Sequence, residues 1–310
     1  MKKLYIILIF GMSFASFGQK LKTFKGSFDV GLAQSGSATY TYFEDSLTRD
    51  FIKQGSFKFI FKGKGDYSGY NQTITGNYVK GLKSGIWTCV ITMLDFGTGN
   101  PYETGTLTII ANYKKGYADG NWKEVYSSKN RERNFVHGQL QWQPYKAIKI
   151  KAINMNFKNG VLVGVVDIND GFTKYKVKGG FDNNSFCIGT WIINDGFSVR
   201  SRIYKDNFLY ESLDRSNNGK VLEDRKYQTE YNNYIKAKSM SINERYEAGL
   251  IIDTICGNEV KESTSYIIEY LTELLKKQYF FYEYIDGDLS YKEGLVGGCE
   301  LQIKYRQSKK

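Results

Sequence analysis

Proline and histidine are nearly absent from this 310-residue chain, which contains two prolines and a single histidine, His137. The four cysteines form no Cys-x-x-Cys pair, and a zinc site without clustered His or Cys would be unusual. No Gly-x-Ser-x-Gly motif, phosphate-binding glycine loop or dinucleotide fingerprint occurs either. We therefore expect a protein that is not an enzyme and that has no catalytic residues, no metal and no cofactor.

A long apolar segment is also missing after the first twenty residues. Lys2 and Lys3 precede an apolar run from Leu4 to Phe10, and small residues follow it. This pattern predicts a signal peptide over residues 1–18, cleaved after Gly18. The alternative is an uncleaved anchor, but the run is shorter than the ~20 residues that span a bilayer. We expect an exported chain, in the periplasm or at the cell surface, without a transmembrane helix after cleavage.

Export makes disulfides permissible, and an even number of cysteines fits that expectation. Cys256 and Cys299 both lie in the C-terminal part, each next to a glycine, and are the predicted pair. Cys89 and Cys187 sit among strand-forming residues, where buried free thiols are an equal alternative.

The chain is basic, with a net charge of +11, which falls to +9 once Lys2 and Lys3 are removed. Lys and Arg are spread along the chain, which is typical of a solvated surface on many strands. A second interpretation is attraction to anionic envelope polymers or lipid headgroups. Nucleic acid is a poor candidate partner for an exported protein.

What the sequence does contain is 25 Tyr, 20 Phe and 32 Gly, a composition that favours strands joined by glycine turns. One pattern recurs, aromatic-x-x-Gly-x-x-x-Gly-x-Trp, with complete copies at 78–87 and 113–122. The copy at 157–166 lacks the tryptophan, and the copy at 181–191 has one inserted residue. Phe135-Val-His-Gly138 with Trp142 is a degenerate copy. The repeat-defining positions are Tyr78, Gly81, Gly85, Trp87, Tyr113, Gly116, Gly120, Trp122, Phe157, Gly160, Gly164, Gly189 and Trp191.

Each copy predicts a β-hairpin. The first glycine suits a tight turn, and Asn159-Gly160 is a strong two-residue hairpin pattern. The leading aromatic and the trailing Trp then face each other from adjacent strands. Because one hairpin cannot bury its own face, the copies must stack side by side. The predicted fold is mainly β: antiparallel hairpin repeats over residues 19–210 that form an elongated open sheet or solenoid.

These units resemble MORN repeats, in the Gly-x-Trp variant found in exported bacterial proteins. The resemblance is best over Gly76 to Trp191, and earlier strands after Gly36 and Gly55 extend it. It implies an all-β scaffold for protein or membrane contacts, without catalysis.

Residues 211–310 differ in character and predict a small α+β cap or domain. Tyr227, Tyr231 and Tyr234 have helical spacing, and a second helix is expected over residues 265–277. Strands are predicted over 279–285 and 299–305, with a turn at Asp286-Gly287. The acidic group Glu283, Asp286 and Asp288 is read as hairpin chemistry rather than a calcium site.

Two functional hypotheses follow. The first is a noncatalytic scaffold or binding protein of the bacterial envelope, which holds a protein partner or an anionic component, lipid or glycan, on its repeat sheet. The second is a carbohydrate-binding module that uses exposed Tyr and Trp. An exposed aromatic face (Tyr78, Trp87, Tyr113, Trp122, Trp142 and Trp191) would be a stacking platform for sugars or a surface for a protein partner. We expect it to be buried instead, as the core of the repeat, because stacked hairpins need hydrophobic content.

Overall fold

A computed structural model describes most of the chain, namely residues 20–29, 35–64, 68–95, 103–144, 146–171, 174–184, 186–206, 208–250, 288–294 and 300–306. The first nine strands are β1 (Lys22–Asp29), β2 (Ser35–Glu44), β3 (Phe51–Lys64), β4 (Ser68–Val79), β5 (Leu82–Asp95), β6 (Glu103–Lys114), β7 (Tyr117–Ala118), β8 (Gly120–Asn130) and β9 (Arg133–Val136). The remaining elements are β10 (Gln139–Trp142), β11 (Lys146–Lys158), β12 (Val161–Asp170), β13 (Tyr175–Phe181), β14 (Cys187–Asn194), β15 (Ser198–Lys205), β16 (Phe208–Ser216), β17 (Val221–Lys226), α1 (Gln228–Lys238), α2 (Ile242–Glu247), β18 (Asp288–Gly294) and β19 (Glu300–Arg306).

The strands build one long, open antiparallel sheet, so the predicted fold class is confirmed. The sheet is a meander in which, from β1 to β17, each long strand pairs with the next long strand in sequence, while the short strands β7, β9 and β10 lie outside this order. The order is β1-β2-β3-β4-β5-β6-β8-β11-β12-β13-β14-β15-β16-β17. The short β7 continues the β6 hairpin. The earlier strands expected after Gly36 and Gly55 are β2 and β3.

The repeat turns have the backbone that the first glycine of the motif predicts. Lys80 and Gly81 both have positive φ, 51° and 77°, and so do Asn159 and Gly160, 51° and 84°. Positive φ at both central residues defines the type I′ turn, whose twist matches that of the flanking strands. Lys115-Gly116 and His137-Gly138 repeat this geometry. These two-residue turns therefore fix the hairpin registers.

The second glycine of the motif starts a β-bulge. Gly85 has a φ of 67°, and the β4–β5 register shifts between Thr75 and Asn77, so that three residues of β5 face Gly76 alone. The same shift occurs where β12 faces β11 and where β14 faces β13, after Gly164 and Gly189. A bulge re-aims the side chain that follows it, here the Trp of Gly-x-Trp.

Side chains alternate between two faces of the sheet, as the strand period requires. On β5, Trp87, Cys89 and Ile91 are buried, whereas the intervening Thr88 and Val90 are partly exposed. We call the side that carries Trp87 the buried face and the other side the open face. The hydrophobic core of the described residues lies along the buried face from β2 to β16.

Two short helices follow the sheet. Tyr227 occupies the N-cap position of α1 without a side-chain capping bond, and Tyr234 stacks on Phe208 of β16 with ring centroids 5.0 Å apart. The helix predicted from tyrosine spacing is therefore confirmed. Helix α2 begins with a capping box formed by Ser241 and Glu244. The final predicted strand is also confirmed, as β19, which pairs with β18.

Several predictions lie outside the described residues: the signal peptide, the helix at 265–277, the strand at 279–285 and the Cys256–Cys299 disulfide. Strand β16 runs across residue 210, the predicted boundary of the repeat region, and the sheet continues to Lys226. None of the described helices is long and apolar enough to cross a membrane.

Candidate binding surface

The tryptophans of the repeat share one packing arrangement on the buried face. A Cβ added to Gly76 would lie 2.1 Å from the Trp87 ring, and one added to Gly179 would lie 2.0 Å from the Trp191 ring. The Trp87 indole N–H donates to the Asn77 carbonyl at 3.2 Å. Trp122 and Trp191 make the same bond to the residue that follows the small one, at 2.9 and 3.1 Å.

Size complementarity explains the copy that lacks tryptophan. The residue two positions before the aromatic is Gly76, Ala111 or Gly179 in the three copies whose Trp lies on the main sheet, whereas the degenerate copy with Trp142 has Arg133 there. In the copy at 157–166 it is Met155, and the tryptophan position is Val166. Both are fully buried. In this copy the large Met155 packs against the smaller Val166, whereas in the three copies with a Trp on the main sheet a small Gly or Ala packs against the large Trp.

Rings on the buried face form a continuous series from β1 to β11. Successive centroids lie 4.8 to 6.5 Å apart along Phe24, Tyr40, Phe57, Trp87, Tyr113, Trp122 and Phe157. The ammonium of Lys83 lies 4.8 Å from the Trp87 ring and 5.4 Å from the Tyr113 ring. Such cation–π contacts stabilise a cation that is removed from water.

Five of the six aromatic residues expected to form either a core or a stacking platform belong to the core. Tyr78, Trp87, Tyr113, Trp122 and Trp191 are all buried. Their rings pack against other rings of the series, or in the case of Trp191 against Phe181. These five residues therefore do not form a surface on which a sugar can stack.

Charged groups are also built into the buried face. The Glu124 carboxylate lies 3.4 Å from the Lys151 ammonium, and both side chains are largely buried. Burial raises the pKa of Glu124, an effect that Lys151 partly opposes and Asp170 reinforces. On β15, buried Arg202 donates to Asp214 at 2.5 Å. Ion pairs of this kind are weak evidence for stability and do not by themselves indicate chemistry.

The two cysteines of the sheet are free thiols. Of the two alternatives, a disulfide or buried free thiols, the structure has the second. Cys89 and Cys187 are both buried. Burial raises the pKa of Cys89 to about 11 and also raises the pKa of Cys187. Because the thiolate is the reactive form, neither thiol is activated as a nucleophile.

The part of the chain that the structure describes holds no group of three or more His, Cys, Asp or Glu side chains placed to bind a metal ion. His137 occupies a turn, with a φ of 50°. Of the acidic group, only Asp288 lies within the described residues, at the start of β18.

One exposed feature of the repeat region is the hairpin of β9 and β10, which forms a separate two-stranded sheet. Other apolar side chains, such as Leu47 and Phe197, are also exposed. Phe135 and Leu140 are directly opposite each other and are 77% and 50% exposed. Arg133 and Trp142 are the next pair on the same face. The other face carries Val136 with Gln139 and Asn134 with Gln141. The hairpin is thus amphipathic, with its apolar face in solvent.

Trp142 lies at the base of this hairpin between two cations. The Arg131 and Arg133 guanidinium carbons are 4.6 and 4.4 Å from its ring centroid. Residues 129–146 contain four Lys or Arg, at 129, 131, 133 and 146, and only one acidic residue, Glu132. The sequence predicts this segment only as a degenerate repeat copy, and its separation from the main sheet is not visible in the pattern.

Comparisons with known proteins find no relative: no family model, no curated protein and no solved structure matches the chain.

Proposed function

We propose that this protein is a noncatalytic, exported binding protein of the bacterial envelope, and that the β9–β10 hairpin is its contact with an anionic surface. The observation that carries the proposal is the exposed Phe135–Leu140 pair above a base of arginines. An aromatic ring exposed to water is unfavourable. At the boundary between lipid headgroups and acyl chains, the ring can enter the apolar region while the neighbouring cations contact the headgroups.

Magnitudes favour a lipid surface over a protein partner for this element. A standard protein interface buries about 800 Å² on each partner, and a face built from two four-residue strands is smaller. Burying an exposed Phe or Leu contributes roughly 1.5–3 kcal/mol, and each basic residue near an anionic bilayer adds about 1 kcal/mol. Together these free energies correspond to weak, reversible membrane binding. In this proposal the scaffold holds its other partners elsewhere on the sheet.

The carbohydrate-binding alternative depends on Trp142, the one half-buried tryptophan of the four. Both of its cationic neighbours lie against the ring, so a sugar would have to displace a guanidinium in order to stack. This alternative predicts a change in tryptophan fluorescence with soluble oligosaccharides and little dependence on salt.

The test is co-sedimentation of the chain without residues 1–18 with vesicles of phosphatidylcholine alone, with vesicles containing phosphatidylglycerol, and with peptidoglycan. We expect pelleting with the anionic vesicles that weakens as salt rises, because exposed charges are screened over about 8 Å at physiological ionic strength. Arg131→Gln combined with Arg133→Gln should weaken pelleting, whereas Lys58→Gln on β3 should not. Equal pelleting with neutral and anionic vesicles, or with neither, would contradict the proposal.

A further inference from the structure

In the part of the chain that the structure describes, the long sheet ends in β1 and β17. Among the described residues, β1 pairs only with β2, and β17 pairs only with β16. Most side chains of β17 are exposed, including Val221 at 47% and Leu222 at 59%. An edge strand presents unpaired backbone groups, so it is a template for another strand.

We propose that copies of this chain associate head to tail, with β17 of one copy pairing antiparallel with β1 of the next. The inference does not rest on the lipid contact proposed above. Its occupant is a second copy of the same chain, because the directions, faces and charges of these two strands match each other.

Strand direction is the first match. Every neighbouring pair along the meander is antiparallel, and the meander from β1 to β17 contains an even number of strands. Strands β1 and β17 consequently run in opposite directions. Two copies placed side by side in the same orientation therefore continue the antiparallel alternation, and neither copy needs to be turned over.

Charge is the second match. Lys25 lies on the open face of β1, opposite Thr39, and Asp224 lies on the open face of β17, opposite Leu213. The register that places Lys25 of one copy opposite Asp224 of the next also places Phe24 opposite Arg225. Both pairs then keep the buried faces of the two copies on the same side.

The aromatic series supplies the third match, since it ends at β1 with rings that are only partly buried. Phe24 stacks on Tyr40 at 4.8 Å, and the Lys53 ammonium lies 4.9 Å from the Phe28 ring. Arg225 is ion-paired within its own strand, with its Nε 3.0 Å from a Glu223 carboxylate oxygen. In the proposed register its guanidinium would lie next to the Phe24 ring, as the Lys53 ammonium lies next to the Phe28 ring. Arg225 lies on the buried face, opposite Ser212.

Charge also works against a closed dimer through β17. Two β17 strands could also pair with each other, antiparallel and related by two-fold symmetry. If their buried faces stay on the same side, one residue at the centre lies opposite the same residue of the second copy. Anywhere from Glu223 to Lys226, that residue is charged, and like charges directly opposite destabilise a strand pair. Pairing β1 with β17 is a heterologous contact, and such contacts continue into open-ended assemblies unless the rotation closes.

The test is sedimentation velocity of the chain without residues 1–18 over a wide concentration range, with three charge variants. Lys25→Glu and Asp224→Lys should each raise the concentration for half-association by about fivefold to tenfold. The double variant, Lys25→Glu with Asp224→Lys, should restore association to within about threefold of the original. Lys123→Glu, on the open face of β8 in the middle of the sheet, is the matched control and should leave association unchanged.

Species larger than a dimer that grow with concentration, together with rescue in the double variant, are the expected result. A monomer at all concentrations would overturn the proposal, as would a dimer that grows no further. Failure of the double variant to recover would overturn the β1–β17 register. Circular dichroism of each variant separates loss of association from loss of folding.

Discussion

The indole of Trp87 lies directly over the α-carbon of Gly76, so closely that a Cβ on that glycine would be 2.1 Å from the ring. Trp191 lies over Gly179 in the same way, at 2.0 Å. The repeat is therefore a packing unit with two halves, a bulge that aims the ring and a small residue on the neighbouring strand that receives it.

Adding one methyl group beneath the ring is the first test. Gly179→Ala should lower the free energy of unfolding by about 1–3 kcal/mol, because the buried Trp191 has to move. Gly180→Ala is the matched control: its Cβ would meet its nearest atom at an ordinary 3.5 Å, so we expect little change or a slight gain. Urea denaturation measures both, and equal effects of the two substitutions would refute the packing account.

A stronger test replaces the Gly–Trp pair of one copy with the Met–Val pair of another. Gly76→Met and Trp87→Val should each destabilise the chain, whereas the double variant reproduces the Met155–Val166 arrangement. We expect the double variant to be at least about 1 kcal/mol more stable than the sum of the single effects, since residues in direct contact couple. Additivity within about 0.3 kcal/mol would show that the two positions are independent.

The positive φ of a lysine in the turn after β6 predicts a stabilising substitution. Lys115 has a φ of 51°, a conformation that Asn adopts more readily than Lys. Lys115→Asn should raise the free energy of unfolding by roughly 0.5–1 kcal/mol. Lys114→Asn, one residue earlier at the end of β6, should give no gain because strands disfavour Asn. The comparison fails if both substitutions shift the urea midpoint in the same direction.

The ion pair on the buried face predicts a pH dependence. Because burial raises the pKa of Glu124 in the folded chain, folding favours its protonated form. Its contribution to stability is greatest below the ordinary pKa of a glutamate and is lost as the pH rises through the folded-state pKa. Glu124→Gln should therefore compare more favourably with the unmodified chain at pH 7.5 than at pH 4. Urea midpoints at the two pH values check this, and the opposite trend would contradict it.

The state of the four cysteines predicts how many thiols react with Ellman's reagent before and after unfolding. Cys89 and Cys187 are buried. If Cys256 and Cys299 form the predicted disulfide, Ellman's reagent should find no reactive thiol in the native chain and two after unfolding without reductant. Four thiols after unfolding would show that the predicted disulfide does not form.

The sequence alone predicts the fold class, the turn positions and the burial of five of the six repeat aromatics, because glycine spacing and strand alternation are local properties. It predicts neither the small residue beneath each tryptophan nor the pairing of Glu124 with Lys151. Both depend on which residue of the neighbouring strand lies opposite, and the bulges at Gly85 and Gly164 shift that register.

The candidate binding surface is harder to predict for the same reason. Phe135 and Trp142 fit the repeat pattern loosely, and the pattern places such rings in the core. Only the separation of β9 and β10 from the main sheet exposes Phe135 and brings Arg131 and Arg133 around Trp142. Because the other tryptophans are buried, this hairpin carries the one partly exposed tryptophan of the repeat, which makes it a candidate contact.

The most direct test of the proposed function is the partition coefficient of three chains on phosphatidylglycerol-containing vesicles at physiological salt. These are the unmodified chain, the variant Phe135→Ser with Leu140→Ser, and Val136→Ser on the opposite face of the hairpin. The account predicts that the double variant loses at least about tenfold in partition while Val136→Ser binds like the unmodified chain. Equal partition of all three chains would contradict docking through the apolar face of this hairpin.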